Sequence, residues 1–130
     1  MPANPPLPRP TDAELEILAV LWSRGPSTVR EVHEVIARRK AAQYTTVLKL
    51  MQIMASKGLV RRDERERAHV YQASRPRQWT ERQVARDLLD KVFGGSARSL
   101  VLGALSARRT SRKELAEIRK LLDEYEKERS

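Results

Sequence analysis

The sequence predicts a mainly α-helical chain that carries one small β-hairpin. Apolar residues recur at helical spacing in six segments, and two short runs after the third segment alternate apolar and polar residues. Three of the predicted helix starts also show the capping-box pattern, in which Ser or Thr is followed three residues later by Glu or Gln. These starts are at Thr11, Thr80 and Ser111. The predicted order is therefore three helices, a hairpin and three further helices.

The first three predicted helices are each bounded by a recognisable start or stop signal. They cover residues 12–24, 28–39 and 45–57. Gly25 and Pro26 end the first helix, Ser27 can cap the second, and Gly58 ends the third. Because only 5% of the residues are aromatic, the stripes on these helices are expected to form an aliphatic core.

The predicted hairpin consists of the runs "LVRRD" and "AHVYQA", with "ERER" at its charged tip. Two strands alone are only marginally stable, so the hairpin is expected to pack against the helices. Three helices followed by such a hairpin is the layout of a winged helix-turn-helix DNA-binding domain.

The segments beyond the hairpin predict a linker, "SRPRQW", and helices over residues 81–93, 97–107 and 112–128. These helices are short and thinly apolar, so a partner chain is expected to complete their core. The predicted organisation is a disordered Pro-rich tail over residues 1–10, a winged-helix DNA-binding domain over 11–76 and an α-helical dimerisation domain over 77–130. The residues expected at the dimer interface are Leu88, Leu89, Val92, Leu100, Val101, Leu105, Leu115, Ile118 and Leu122.

Composition narrows the classes of function. The formal net charge of +9 favours polyanionic partners such as DNA, RNA or an anionic membrane surface. The absence of Cys removes disulfides, thiolate metal sites and thiol nucleophiles, and it agrees with the reducing cytoplasm. No apolar run reaches the roughly 20 residues that span a bilayer, and "MPANPPLPRP" lacks the apolar segment of a signal peptide. The sequence therefore predicts a cytoplasmic protein without cofactor, metal or membrane insertion.

The third predicted helix has two different faces. On a helical wheel, its large apolar residues fall together, as a core-facing stripe should. The opposite face carries side chains that can reach base edges and phosphates in a major groove. This polar face consists of Thr45, Lys49, Gln52 and Ser56. No acidic residue occurs from Val35 to Arg62, whereas an ordinary solvated face usually mixes charges of both signs.

Basic residues surround this helix in the sequence. Residues 24–67 contain eleven Lys or Arg and five Asp or Glu. The hairpin tip, with Arg65 and Arg67, suits a wing on the DNA backbone, although its three acids also suit a solvated loop. Thr28, where the second helix begins, is expected near a phosphate because free N–H groups and the helix dipole favour an anion there. The predicted DNA-contacting residues are Thr28, Arg30, Tyr44, Thr45, Thr46, Lys49, Gln52, Arg61, Arg65, Arg67 and His69.

Three other interpretations compete with sequence-specific DNA binding. An enzyme is disfavoured because no Gly-rich phosphate loop is present and His33 and His69 lack partners at catalytic or metal-binding spacing. A helical adaptor would use the last helix as a coiled coil, but it leaves the basic middle third of the chain unexplained. The third is RNA binding, and an affinity that depends on salt but not on sequence would favour it or a nonspecific, chromatin-type role. Recognition of RNA usually also needs stacking aromatic residues, which are few here.

Five segments of the sequence together resemble the penicillinase-repressor (BlaI/MecI-type) family. In order, they are "ELEILAVLW", "TVREVHEVI", "YTTVLKLMQIMASKGLVRR", "HVYQA" and "FGGSARSLVLGAL", and the resemblance covers about residues 10–126. It implies a homodimeric winged-helix repressor of a β-lactam-response or stress-related operon. Its partner would be double-stranded operator DNA, a palindrome with TACA and TGTA half-sites. The third helix would be the recognition helix, and the C-terminal helices would form the dimer interface.

Two features of the sequence differ from relatives whose mode of induction is known. Relatives induced by proteolysis are cut by a membrane sensor protease at an Asn–Phe bond just after "SLVL". Here Gly103 and Ala104 occupy those positions, which argues against cleavage with that specificity at this switch region. Copper-responsive relatives carry a C-terminal cysteine motif, and this chain has no Cys. The sequence therefore does not identify an inducing signal.

Overall fold

The computed structural model describes residues 7–129, which form six helices and three short strands. The elements are α1 (Asp12–Arg24), β1 (Ser27–Thr28), α2 (Val29–Ala37), α3 (Tyr44–Lys57), β2 (Val60–Asp63), β3 (Val70–Ala73), α4 (Arg77–Lys91), α5 (Ala97–Ala107) and α6 (Arg112–Arg129). The chain divides into two compact units, one ending at Ala85 and the other beginning at Arg86. The predicted fold class, mainly α with a small β-sheet, is confirmed.

The small sheet contains one strand more than the sequence predicted. Its order is β1-β3-β2, and both pairings are antiparallel. β1 has only two residues, which is too short to show an alternating pattern, and it forms because Ser27 pairs with the distant Tyr71. On the other side of β3, Arg62 of β2 also lies opposite Tyr71. We call β2, β3 and the loop between them the wing.

The cap of α2 is Thr28 and not Ser27, so the predicted cap was wrong by one residue. Thr28 Oγ1 accepts a hydrogen bond from Glu31 N at 3.2 Å, and Glu31 Oε1 accepts one from Thr28 N at 2.9 Å. The hydrogen bond from Thr28 N, together with one from Arg24, lowers the pKa of Glu31. Ser27 is instead buried, and its hydroxyl donates to Gly25 O at 2.8 Å. α2 therefore begins with a complete capping box, as α1 does at Thr11.

The predicted linker over residues 74–79 is shorter than expected, and the predicted cap at Thr80 was wrong, because α4 already begins at Arg77. Contacts with α1 fix this segment: Trp22 Nε1 donates to Arg75 O at 2.9 Å, and the Arg77 guanidinium lies 5.5 Å from the centre of the Trp22 ring. Thr80 is consequently a buried residue inside the helix. The partner that the sequence assigned to it, Gln83, donates instead to Leu7 O at 2.7 Å.

The predicted disordered tail lies partly outside the described residues, which begin at Leu7. Leu7 itself packs against the core. Its Cδ2 lies 3.2 Å from the position that a Cβ on Gly58 would occupy, and Gly58 ends α3 with a φ of 82°. A side chain at Gly58 would therefore meet both backbone strain and this contact. The last part of the predicted tail is thus held against the end of α3.

One aliphatic core joins the first three helices to the sheet. α3 contributes its predicted apolar stripe, of which Val47, Met51 and Met54 are buried. Tyr71 of β3, at 2% exposure, is the large aromatic residue of this core. The other buried members are Ile17, Leu18, Val20, Leu21, Val29, Val32, Ile36, Leu59 and Val60. The core fixes the rotation of α3, and so determines which of its residues face outward.

An ion pair at the edge of this core ties α1 to the end of α3. Glu14 is 1% exposed, and its Oε2 accepts a hydrogen bond from Lys57 Nζ at 2.9 Å. Its Oε1 accepts from Thr11 N at 2.9 Å, which completes the capping box of α1. Burial acts to raise the pKa of Glu14, but the hydrogen bonds from Thr11 and Lys57 and the charge of Lys57 together lower it.

Replacement of Lys57 by Met should lower the free energy of unfolding by about 1.5–3 kcal/mol, the usual contribution of a hydrogen bond to a charged group. Because folding lowers the pKa of Glu14, its ionised form stabilises the fold fully above the unfolded pKa, near 4.5. That contribution is lost as the pH falls through the lower, folded pKa. We therefore expect the free energies of unfolding in urea of wild type and variant to differ less at pH 3 than at pH 7. An equal difference at both pH values would contradict this account of the pair.

The last two helices of the C-terminal unit lack fully buried side chains. α5 and α6 contain no buried residue. Ser96 and Ser111 cap them by accepting hydrogen bonds from Ser99 N and Glu114 N, both at 3.1 Å. Several of their large apolar side chains, among them Val101, Leu102 and Leu122, are exposed.

Candidate nucleic-acid interface

The outer face of α3 is exposed and mostly polar, opposite the buried stripe that packs in the core, and Ile53, at 39% exposure, is its large apolar residue. Tyr44, Thr45, Thr46, Lys49 and Gln52 are all exposed. Lys49 and Lys57 are the charged residues of the helix, and Lys57 is paired with Glu14. Among residues 7–129, no ion pair involves Lys49, so this helix presents hydrogen-bonding groups and a cation, and its own sequence has no acidic residue to repel phosphate.

A concave surface of about 370 Å³ lies between the start of α2, the outer face of α3 and the wing. We call it the recognition concavity. Six of the predicted DNA-contacting residues line it together, although they come from three separate parts of the sequence. These six are Thr28, Arg30, Tyr44, Gln52, Arg67 and His69. The fold thus brings together residues that the sequence could only nominate one at a time.

The other predicted residues lie outside the recognition concavity. Thr45, Thr46 and Lys49 are exposed elsewhere on α3. Arg61 and Arg65 line a second concave surface of about 810 Å³, together with Pro26 of the α1–α2 connection. The structure therefore separates these two arginines from Arg67 and His69, although all four belong to the wing.

Arg62 also lines the recognition concavity, and the sequence prediction missed it. Its hydrogen bond with the Tyr71 side chain, together with the charge of Glu64, raises its pKa. Glu64 forms an ion pair with the same guanidinium. The signal was present in the strand pattern: Val60 is buried, and Arg62, two residues later, lies on the same face of β2.

Arg65 and Arg67, both predicted to contact DNA, differ in their surroundings. The Arg65 guanidinium binds Asp63 through two atoms, with Nε 3.0 Å from Oδ1 and Nη2 2.7 Å from Oδ2. These hydrogen bonds from Arg65 lower the pKa of Asp63 to about 2. Within residues 7–129, Arg67 forms no ion pair and is exposed. Arg67 is therefore the cation at the wing tip that is available to a phosphate.

The start of α2 is already occupied by its own side chains. Thr28 N donates to Glu31, and Arg24 neutralises the Glu31 carboxylate with an ion pair. The hydroxyl of Thr28 accepts from Glu31 N, which leaves its own proton free to donate. A phosphate at this position would therefore meet the Thr28 hydroxyl and the exposed Arg30 side chain.

The residues predicted for the dimer interface fall into two groups. Val92, Val101, Leu105 and Leu122 are exposed, whereas Leu88, Leu89, Leu100, Leu115 and Ile118 are partly buried within the chain. Three further large apolar residues are exposed beside them and were not predicted: Leu102, Leu121 and Tyr125, at 56%, 52% and 65% exposure. The accessible apolar surface of α5 and α6 is therefore larger than the sequence indicated.

Gly103 and Ala104 lie inside α5, and not at a loop tip where proteolysis is easiest. A Cβ at Gly103 would be 3.3 Å from Phe93 Cε1, so the glycine allows the Phe93 ring to approach the helix closely. Over the described residues, no helix is long and apolar enough to cross a membrane. The same residues contain no group of acidic or His side chains placed to hold a metal ion.

Residues 10–124 match the sequence profile of the penicillinase repressor family. The transcriptional regulator BlaI of Mycobacterium tuberculosis is 44% identical over 66 residues, which cover 50% of this chain and 48% of that protein. This match thus spans only about half the length of the mycobacterial relative. The penicillinase repressors of Staphylococcus aureus and Bacillus licheniformis are 24% and 23% identical, over 88% and 92% of this chain and 91% and 93% of theirs.

Proposed function

Because the chain belongs to the penicillinase repressor family, we propose that it is a homodimeric transcriptional repressor that binds a palindromic operator in double-stranded DNA. Membership in this family confirms the resemblance inferred from the sequence. The same membership supports a role as a regulator rather than as an enzyme.

The observation that carries this proposal is the outer face of α3. A helix of this kind fits the major groove, which is about 12 Å wide. The exposed Thr45, Lys49 and Gln52 present donors and acceptors to base edges, and the opposite, buried stripe holds the helix at a fixed rotation. A face with these groups and no acid suits a surface that lies between two phosphate backbones.

The recognition concavity supplies the proposed contacts on either side of α3. Arg30 at the start of α2 and Arg67 on the wing would neutralise phosphates, and so would Arg62, although Glu64 competes for its guanidinium. His69 and the Thr28 hydroxyl would donate hydrogen bonds to the backbone. Arg61 and Arg65 remain proposed contacts of the outer edge of the wing, although Asp63 competes for Arg65.

The C-terminal unit supports the proposal of a dimer. One recognition helix contacts few base pairs, so two copies on a symmetric operator are needed for tight binding. The exposed apolar residues of α5 and α6 would be buried between the copies. This proposal keeps the division between a DNA-binding domain and a dimerisation domain, with α4 leading from the first to the second.

The relatives indicate the kind of regulation that we propose. Two of them are named penicillinase repressors, so the proposed target is an operon that responds to β-lactams or to stress. The protein would act on it in the cytoplasm. A membrane sensor protease belongs to this proposal only as a partner that does not cut at Gly103 and Ala104, because both residues lie inside a helix.

Selection of bound duplexes from random DNA tests the proposal without knowledge of the target gene. The full-length protein should enrich an inverted repeat, whose half-sites would lie about one helical turn or a multiple of it apart. Binding of the selected duplex should then weaken steeply with salt, since several phosphates per subunit are neutralised. Absence of any enriched sequence would overturn the repressor proposal in favour of nonspecific nucleic-acid binding.

A further inference from the structure

We propose that His33 is a positioning residue, which sets the direction in which α3 presents Tyr44 to DNA. His33 belongs to α2, is partly buried and does not line the recognition concavity. The proposal rests on the proposed function, because it concerns how the same surface distinguishes one DNA sequence from another.

The first contact of His33 is with the connection between α2 and α3. Its Nε2 lies 2.8 Å from the backbone oxygen of Ala42. Because a carbonyl oxygen can only accept, Nε2 must carry a proton and donate it. Ala42 is two residues before Tyr44, where α3 begins, so this hydrogen bond anchors the entry to the recognition helix.

The second contact of His33 is with Tyr44 itself. The two ring centres are 5.9 Å apart and the ring planes make an angle of 87°, which is the edge-to-face arrangement that aromatic pairs favour. Tyr44 is 43% exposed and lines the recognition concavity. One side of its ring is thus in contact with α2, while its exposed side is available to DNA.

The start of α3 has particular need of such an anchor. α1 and α2 begin with complete capping boxes, and Ser96 caps α5. The cap residue of α3, Gln43, makes no side-chain hydrogen bond to the helix. The nearby ion pair between Lys40 and Glu16, at 2.9 Å, involves a Lys side chain that is 57% exposed, and such pairs stabilise little.

Loss of the His33 contacts should change how well the protein distinguishes DNA sequences, and not how tightly it binds DNA of any sequence. Nonspecific binding comes from cations that neutralise phosphates, and His33 supplies none to the concavity. Discrimination between sequences requires side chains of α3 to be held in register with base edges. Loss of the His33 contacts should therefore weaken binding to the selected duplex and leave binding to a scrambled duplex unchanged.

The test is a double-mutant cycle between His33→Leu and Tyr44→Leu, with both duplexes measured by fluorescence anisotropy at one salt concentration. His33→Leu alone should weaken binding to the selected duplex about 5- to 10-fold, given the usual strengths of one hydrogen bond and one aromatic pair. In the Tyr44→Leu background, the same change should weaken binding less, by about two- to threefold, because the ring pair is already absent and only the hydrogen bond to Ala42 is then lost. His33→Gln, which keeps an N–H donor, should recover part of the loss.

A second measurement does not depend on DNA. Proton–nitrogen correlation spectra of the free protein should show the neutral His33 ring protonated at Nε2, with exchange of that proton slowed by Ala42. Protonation at Nδ1 alone would overturn the proposed anchor, whatever the protein binds. Circular dichroism of each variant should match the wild type, which shows that the fold is intact.

The outcomes separate this inference from the proposed function. If the wild type distinguishes the duplexes but His33→Leu weakens both equally, or adds independently to Tyr44→Leu, the positioning role is wrong. If the wild type does not distinguish them, the proposed function fails and this role fails with it.

Discussion

Leu122→Asp is expected to convert the dimer into a monomer and to weaken operator binding by roughly 100-fold or more, because the second subunit no longer binds as part of the same molecule. Leu122 is 55% exposed on α6, beside Leu121 and Tyr125. A charge there would be buried without a partner in a dimer, whereas it stays solvated in a monomer. Sedimentation velocity would give the oligomeric state, and anisotropy with the selected duplex would give the affinity.

Ala116→Asp is the matched control for this experiment. It introduces the same charge into the same helix at an exposed residue, roughly on the opposite side of the helical wheel from Leu122 and Tyr125. The control should remain dimeric and should bind the selected duplex as the wild type does. A Leu122→Asp variant that stays dimeric with unchanged affinity would place the interface elsewhere than the exposed apolar face of α6.

Lys49→Ala is expected to weaken binding to the selected duplex about 10-fold, which is within the range for loss of one good base contact. Lys49 is exposed on the outer face of α3, opposite the buried Met51 and Met54, so its removal should leave the free energy of unfolding unchanged. Thr45→Ala should act in the same direction with a smaller effect, because a hydroxyl makes a weaker contact than a cation. Anisotropy and circular dichroism of both variants check these two expectations.

Lys120→Ala on α6 is the control for Lys49→Ala, since it removes the same exposed charge from the C-terminal unit. Binding by this control should change less than about twofold if charge loss by itself has little effect. Comparison of the scrambled duplex separates two roles for Lys49: a phosphate contact would weaken both duplexes and lower the salt dependence, whereas a base contact would affect only the selected duplex. A loss of helicity in Lys49→Ala would show that the two faces of α3 had been assigned in reverse.

Local signals were sufficient to predict most of the helices. α1 and α5 have the predicted bounds, and α3 begins only one residue earlier than expected. For α1 and α3, an apolar stripe at helical spacing coincides with a start or stop signal nearby in the sequence. The polar face of α3 could be predicted for the same reason, because the buried stripe on the opposite side fixes which residues face outward.

Features that depend on distant contacts could not be predicted. β1 exists only because Ser27 pairs with Tyr71, and no pattern within two residues can reveal a strand. The early start of α4 depends on Trp22, which holds Arg75 across 53 positions of sequence. Both contacts outweigh the local signals that favoured a cap at Ser27 and a linker after β3.

In the candidate interface, too, the residue types could be predicted from the sequence, whereas the contacts of their side chains could not. Sequence reasoning found the basic wing, but it could not show that Arg65 is bound to Asp63 or that Arg67 lies with the recognition concavity. It also chose Arg61 over Arg62, although the alternation of side chains in β2 places Arg62 on the same face as the buried Val60. Side-chain pairing and strand register therefore decide which predicted cations are available to DNA.

The central claim, that this chain reads DNA sequence as a dimer, is tested most directly by anisotropy titration of the selected duplex against a scrambled duplex of equal length. Both titrations use wild-type protein at one near-physiological salt concentration, and a stoichiometric titration counts the subunits per duplex. The predicted result is an affinity at least about a thousandfold higher for the selected duplex, with two subunits bound. Equal affinity for the two duplexes would contradict sequence recognition, and one subunit per duplex at saturation would contradict the dimer.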